Sequence, residues 1–341
     1  MWGAGFKWMF LIIGTTIGAG YASGRELWQF FGYESGLAIL LFTLFFTISS
    51  YVIMDVSYKK QSSDYLPVLK DIVGPKLTNV YDIMIFLYLF TTTVVMIAGS
   101  GATGQAFRFS YWWGVVLIAL GLIALFLKDI NGLLAMNQIV LPLLLGGLIY
   151  ILLLFIMDQE LDVLADWHEQ RNWTAAFPFT ALNVLPLIAV LGAVGNKVRS
   201  KQEIVVAAIG SGLSLGTISF IYNSSLIQIA DELLIYEIPL FAILKHYPFE
   251  ILIFMSALLW FAIFTTAAAG ILGIATRLQS IWNLPIWMLA AGMIAVMVPL
   301  TTLGFSTLIS YIYPVYGILN LYVLSRLLLY PLWADKENRE V

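Results

Sequence analysis

Long unbroken apolar runs constrain this chain more than any motif does. They fall near residues 4–31, 36–57, 79–107, 112–127, 132–157, 174–195, 202–227, 249–276, 284–300 and 302–328. A helix needs about 20 apolar residues to cross the hydrocarbon layer of a bilayer. In lipid the backbone must satisfy its own hydrogen bonds, so spanning elements are helices or closed barrels. The runs are continuous rather than alternating in twos, which excludes a barrel. An all-α integral membrane protein with ten transmembrane helices is expected, as one domain over residues 1–341. Composition agrees: 61% of residues are hydrophobic and 11% charged, against about 45–50% and about 25% in soluble chains. The 11 Trp and 17 Tyr suit interfacial belts. The glycine-studded N-terminal stretch lacks the compact apolar core and small-residue cleavage site of a signal peptide. With no Cys, a disulfide framework, a thiolate metal site and cysteine redox chemistry are all excluded. A net charge of −3 without a basic tract argues against nucleic acid as a partner.

Charge sets the orientation. With a cytoplasmic N-terminus, only Arg25, Arg108, Arg171 and Lys245 of the 17 Lys and Arg fall outside. A positive-inside bias of that size places both termini in the cytoplasm of a multi-pass protein of the cell (cytoplasmic) membrane. The acidic run from Asp158 to Glu169 then forms an external loop.

Phe90-Thr91-Thr92 in span three recurs as Phe264-Thr265-Thr266 in span eight, 174 positions on. The same offset carries Gly14 of span one into the Pro-bearing middle of span six. Five spans per half is odd, so successive halves enter the membrane from opposite sides. The expected design is a 5+5 inverted repeat, about 4–157 and 174–328, as in secondary transporters. Chance recurrence in apolar sequence would give the same tripeptides.

Two spans carry interruptions. Span one reads Gly14-Thr15-Thr16-Ile17-Gly18-Ala19-Gly20-Tyr21-Ala22-Ser23-Gly24. Glycine costs about 1 kcal/mol against alanine inside a helix, and freed backbone groups must line a cavity or an ion rather than face lipid. Close packing through small residues fits the same Gly spacing. Span six has Pro178, Thr180, Asn183 and Pro186; Pro186 removes a donor and clashes with the Leu182 carbonyl. Spans one and six are therefore expected to be discontinuous, and paired interruptions of this kind point to a substrate site at mid-membrane.

At these residues the chain resembles the amino acid–polyamine–cation superfamily with its LeuT-type fold, and more narrowly the YkvI family of bacterial permeases. Gly14-x-x-Ile17-Gly18-x-Gly20 matches the G-x-x-[V/I]-G-x-G motif of sodium-coupled members. Ala262-x-x-Thr265-Thr266 matches their span-eight A-x-x-T-[S/T]. The resemblance implies a sodium site from the carbonyls of Gly14, Ile17 and Ala262 and the hydroxyls of Thr265 and Thr266. Those two hydroxyls could equally bond back to their own helix. Proton-coupled relatives place a Lys on span five, and residues 132–157 contain no charged residue or His. An Asn needed for a second sodium is replaced by Tyr21.

The resemblance places substrate at Thr16, Ala19, Gly20 and Tyr21, where a half-helix N-terminus favours a carboxylate. Thr180 and Asn183 would face it, with Phe179, Trp260 and Phe261 as aromatic walls. Arg25 and Glu26 stand where relatives carry an external gate, although span ten lacks the usual acid. Asp55 and Asp82, at the cytoplasmic ends of spans two and three, are expected to be solvated or paired with Lys59 or Lys60. His168 and His246 lie in external loops without metal-ligand spacing. No catalytic constellation and no organic cofactor motif is present, so an enzyme is not expected. The expected function is sodium-coupled symport of a small amino acid or related carboxylate-bearing amine across the lipid bilayer. Proton-coupled or uncoupled permeation of an amino acid or betaine, or ligand sensing on the same fold, are the alternatives.

Overall fold

The computed structural model of the chain describes residues 2–128, 131–161 and 169–337. These residues fold as helices, with no strand among them. Span one is divided into Trp2–Thr16, Ala19–Ala22 and Arg25–Phe30. Spans two, three and four are Gly36–Lys60, Thr78–Ala106 and Tyr111–Lys128. Span five is Asn131–Asp158 and span six Ala176–Gly192, the latter led by a 3-10 turn at Trp173–Ala175. Spans seven, eight and nine are Lys201–Gln228, Phe249–Trp282 and Ile286–Leu300. Span ten comprises Phe305–Leu319 and Leu321–Glu337, bent by 41° at their junction. Short helices at Leu66–Val73 and Pro239–Leu244 lie between spans two and three and between spans seven and eight.

Among the described residues, seven helices are long and apolar enough to cross a membrane, and the bent pair of span ten makes an eighth. Of the other two apolar runs, Tyr111–Leu127 is a shorter apolar helix and span one is broken. The acidic stretch 162–168, with His168, lies outside the described residues.

Pro186 and Pro299 leave their helices unbroken. Span six is one continuous helix through Pro186, so the discontinuity expected there is absent. It is the most buried of the candidate spans, at 72%, so the carbonyl that Pro186 releases is enclosed by neighbouring protein rather than lipid. Span nine likewise continues through Pro299 to Leu300. The chain turns instead at Gly304, whose φ of +83° only glycine adopts without strain.

Packing separates the helices into two sets. Spans one, two, six and seven pack on one another, as do three, four, eight and nine, while five and ten lie against both sets. Small residues allow the tight crossings. A Cβ on Gly212 or Gly216 of span seven would collide with Thr47 or Thr43 of span two, and one on Gly270 of span eight with Thr93 of span three. Without a hydrophobic drive between helices in lipid, such close approaches supply much of the association. Span seven starts on an N-cap: the Ser200 hydroxyl accepts from the Glu203 amide at 3.4 Å. The buried Glu203 carboxylate in turn accepts from the Trp8 indole of span one at 3.1 Å.

Candidate functional site

Span one unwinds among its glycines. The Ile17 amide still donates to the Ile13 carbonyl at 2.7 Å, but the Gly18 amide turns to Thr16 O at 2.9 Å. The Gly14 carbonyl, which Gly18 would meet in a continuing helix, is thereby left out of the ladder. Gly18 is extended (φ −83°, ψ −177°), and the turn Ala19–Ala22 opens after it without a capping side chain. A second turn follows at Gly24, where φ is +81°.

Span eight meets the first break. The Thr266 methyl lies 4.0 Å from where a Cβ on Gly18 would stand. Thr265 is buried, and its hydroxyl donates to Ala262 O at 3.1 Å. Ala262, Thr265 and Thr266 are thus grouped on the segment of span eight that adjoins the unwound backbone. The Cα of Gly14 is turned to Leu141 of span five.

The polar groups of span six meet the same region. Thr180 and Asn183 are both buried, donating to Ala176 O at 2.6 Å and Phe179 O at 2.9 Å. Asn183 is also a side-chain hydrogen-bond partner of Glu26. Glu26 is only 5% exposed. Its Oε2 lies 2.8 Å from a Cβ built on Gly20, with the Tyr313 ring of span ten 3.3 Å from the same point. Gly20, Glu26, Asn183 and Tyr313 therefore form one polar seam between spans one, six and ten. Glu26 is thus not at the surface, where its position in the sequence would put a gate residue. The Gly24 turn folds it inward.

Several expected contacts are not brought together. The Tyr21 hydroxyl pairs with Leu215 O at 3.0 Å and Ser219 Oγ at 2.7 Å on span seven. Thr16 bonds back to Ile12 O at 3.1 Å. Phe179 belongs to an aromatic core, its ring centroid 4.6, 4.7 and 5.3 Å from those of Phe31, Phe42 and Phe30. Trp260 donates to Ser100 Oγ of span three at 2.8 Å and stacks on Phe264, which abuts Gly121 of span four. Phe261 is 40% exposed. The expected aromatic wall is instead core and outer surface, because these rings find apolar neighbours on spans two, three and four before any polar seam. Tyr313, the tyrosine beside the Gly20–Glu26 contact, comes from span ten, and no motif in the sequence singles it out.

Two further sets of polar contacts tie the spans together. At the Arg25 end, Arg25 donates to Leu233 O at 3.3 Å and to the Ser306 hydroxyl of span ten. Glu237 accepts from the Phe305 and Ser306 amides at 2.9 and 3.4 Å, capping that helix, and its charge acts on Arg25. Span ten has no acid of its own at this end; the one that acts on Arg25 comes from the loop between spans seven and eight. A cleft lined by Gln105, Tyr111, Trp112, Glu237, Thr302 and Gly304 opens beside the cap. At the opposite end, Arg277 of span eight makes a bidentate pair with Asp82 of span three, joined by the Tyr65 hydroxyl at 2.6 Å. Burial and the Asp82 carboxylate raise the Tyr65 phenol well above its ordinary range. Ser57 and Ser62 donate to Leu191 O and Gly192 O at 2.7 and 2.6 Å, and Arg326 of span ten to Ile72 O at 2.9 Å. Asp55 pairs with Lys59 at 2.7 Å, as expected, whereas Lys60 pairs with Asp71 at 2.9 Å rather than with Asp82.

No family model matches the chain. Among solved structures it is similar to MhsT in complex with L-phenylalanine (TM-score 0.70, 14% identity, 93% of this chain and 87% of that one). It is also similar to Mhp1 in an inward-facing conformation (TM-score 0.65, 13% identity, 94% and 75%). A third similar structure is a Na+-coupled sialic acid symporter in a substrate-bound outward-open state (TM-score 0.56, 14% identity, 91% and 73%). At these identities the likeness is one of fold, and the fold is the LeuT type. In sequence, the chain is 26% identical to the uncharacterized membrane protein YkvI of Bacillus subtilis (strain 168) over 340 residues, 96% of each chain. It is 48% identical to the uncharacterized protein YyaD of the same organism over 332 residues, 97% of this chain and 98% of that one. The chain therefore belongs to the family of YyaD, is more distantly related to YkvI, and is a multi-pass membrane protein with the LeuT-type fold.

Proposed function

We propose that the chain is a secondary transporter that symports sodium with a small amino acid or related carboxylate-bearing amine by alternating access. The observation that carries this reading is the break at Ile17-Gly18, which Thr266 approaches, with the buried Thr265 next to it on span eight. A hard cation takes neutral oxygens at several vertices. The freed carbonyls of span one, the Ala262 carbonyl and the two hydroxyls are that donor set. The carboxylate of the substrate would sit at the Ala19 and Gly20 amides, with Thr180 and Asn183 opposite. The fold neighbours agree in kind: one holds L-phenylalanine and another is Na+-coupled.

The packing pattern supports two inverted halves, about 4–157 and 174–328. Exchanging each span with the one five places later maps the one–seven contact onto six–two. It also maps three–four onto eight–nine, and five–eight onto ten–three, all of which are made. The charge distribution of the loops supports a topology with both termini in the cytoplasm, in the cell membrane. In that topology the Arg25 end of the seam is the external gate and the Arg277 end the cytoplasmic one.

Uptake by proteoliposomes containing the purified chain tests the reading. Replacing sodium with choline outside, or Thr265→Ala with Thr266→Ala inside the site, is expected to abolish concentrative uptake. Undiminished uptake in both cases would refute sodium coupling. Proton coupling is the rival, and the buried carboxylate of Glu26 is the observation in its favour. Uptake driven by a pH gradient in choline would establish it.

A further inference from the structure

Glu26 is the one acid of span one, and it lies at the seam rather than at an interface. The residue is 5% exposed, and its carboxyl packs against the backbone of Gly20, at a place a Cβ would fill. No Lys, Arg or His forms an ion pair with it among the described residues. Its sequence neighbour Arg25 is committed outward, to Leu233 O and the Ser306 hydroxyl. The ionisable groups on which its charge acts are Tyr21 on its own span, Tyr88 on span three and Tyr313 on span ten. None of them supplies positive charge.

A buried intramembrane acid without a cation is costly, and such residues mark ion or substrate pathways. Here the surroundings favour one kind of guest. Asn183 already meets the carboxyl and leaves an amide carbonyl as a second acceptor. The Tyr313 ring lies beside the Gly20–Glu26 contact, and Tyr88 packs edge-on against Tyr316 of the same span ten helix, with ring centroids 5.3 Å apart. A carboxylate, an amide oxygen and aromatic rings together suit an organic ammonium, which gains charge-assisted hydrogen bonds and cation–π contact at once. A bare proton would use only the carboxylate.

We propose that Glu26, with Asn183 as its positioning partner, binds the primary ammonium group of the substrate and so determines specificity. The assignment rests on the transport reading given above and sharpens it. The substrate must carry an N–H-bearing cation, since a quaternary amine has no hydrogen to donate to Glu26, and an anion without an amine would face repulsion there. Gly20 is part of the device, because any side chain at that position would displace the carboxyl from the seam.

The test uses the full-length chain in proteoliposomes and in detergent, with L-alanine, ethylamine, propionate and glycine betaine as probes. Thermal shift and labelled uptake are both read. Alanine and ethylamine are expected to stabilise the protein, and propionate and betaine are not. Glu26→Gln, which is isosteric, is expected to weaken alanine at least about 30-fold, as loss of a buried charge partner does. Glu26→Asp keeps the charge but draws it back by one methylene, and is expected to fall between the two. Its elution as a single species by size exclusion keeps the comparison meaningful should the Gln variant misfold.

Equal alanine affinity in wild type and Glu26→Gln would overturn the proposal. So would propionate or betaine binding as well as alanine. A Glu26→Gln variant that keeps alanine affinity but loses its response to a pH gradient would assign the carboxyl to a proton, and also overturns it. A wild-type chain that moves no amine in any ionic condition refutes the transport reading itself. That outcome is distinguishable from the three failures specific to Glu26.

Discussion

Arg277→Gln is expected to unlatch the side of the protein that carries Lys59 and Lys60. In the structure the Arg277 guanidinium donates to Asp82 Oδ1 at 2.6 Å and to Oδ2 through its other nitrogen, and Tyr65 donates to Oδ1 at 2.6 Å. Charge-assisted bonds contribute about 1.5–3 kcal/mol each when well formed. The side chains are 37% and 18% exposed, so screening removes a good part of that gain. A net stabilisation of about 2 kcal/mol remains, equivalent to about 30-fold in the closed-to-open equilibrium. Because Tyr65 packs its backbone against Gly192 at the end of span six, the pair joins spans three and eight to the set containing span six. Absence of native Cys makes the assay direct. Val68→Cys, at a side chain with 0% exposure in the helix beside Tyr65, reports opening through its rate of maleimide labelling in inside-out vesicles. Arg277→Gln should raise that rate about 30-fold and Tyr65→Phe about fivefold, as expected for loss of about 1 kcal/mol. Asp82→Asn combined with Arg277→Gln should do little more than either alone, because both remove one interaction. A rate unchanged within twofold, or single effects that simply add, would refute the latch.

Other perturbations separate structural from functional roles. Gly24→Ala is expected to destabilise by about 2–3 kcal/mol, because φ is +81° and the new Cβ would lie 2.7 Å from the Tyr222 hydroxyl. Gly74→Ala, at φ +82° with open space around it, should cost about 1 kcal/mol, and thermal unfolding in detergent compares the two. Glu237→Gln should weaken the cap of span ten and the hold on Arg25 by about 1 kcal/mol. A Ser306→Cys reporter would then label faster, and an unchanged rate would remove Glu237 from the gate. Phe261→Leu should leave the KM for uptake unchanged, since its ring faces outward; a severalfold change would restore it to the substrate pocket.

The fold is legible because lipid leaves few choices. Ten apolar runs, their loop charges and the glycines of span one point to one architecture, and the helices follow those runs closely. What sequence does not show is where a polar group points once its helix bends. Pro186 has the signature of a break, yet span six, the most buried of the candidate spans, stays helical through it. Thr265 suits either an ion ligand or a back-bonded hydroxyl, and its 3.1 Å bond to Ala262 O joins both candidate ligands. Trp260 and Phe261 sit next to a motif residue, but along a helix neighbours diverge by about 100°, so adjacency to Ala262 says little about what they face. Glu237 is hidden for a different reason: it comes from a loop, and only the turn at Gly304 brings the start of span ten to it.

Arg25 and Glu26 show how much one backbone torsion can decide. By sequence they are an interfacial pair at the end of a span, free to reach water. Gly24 turns the chain through a left-handed residue before the helix Arg25–Phe30 restarts, and the two side chains then part. Arg25 reaches Leu233 and Ser306, while Glu26 returns to Gly20 at the first break. The closure at the Arg25 end and the inward-facing acid therefore hang on a single short rigid helix, whose movement must shift both. Under the transport reading, breaking the Arg25–Ser306 contact and displacing Glu26 from Gly20 are one event. An ammonium bound at Glu26 would bias the gate by favouring the position of that helix in which its carboxyl faces the seam. Substrate need not touch Arg25 to act on it, because the differential affinity for the two positions supplies the coupling.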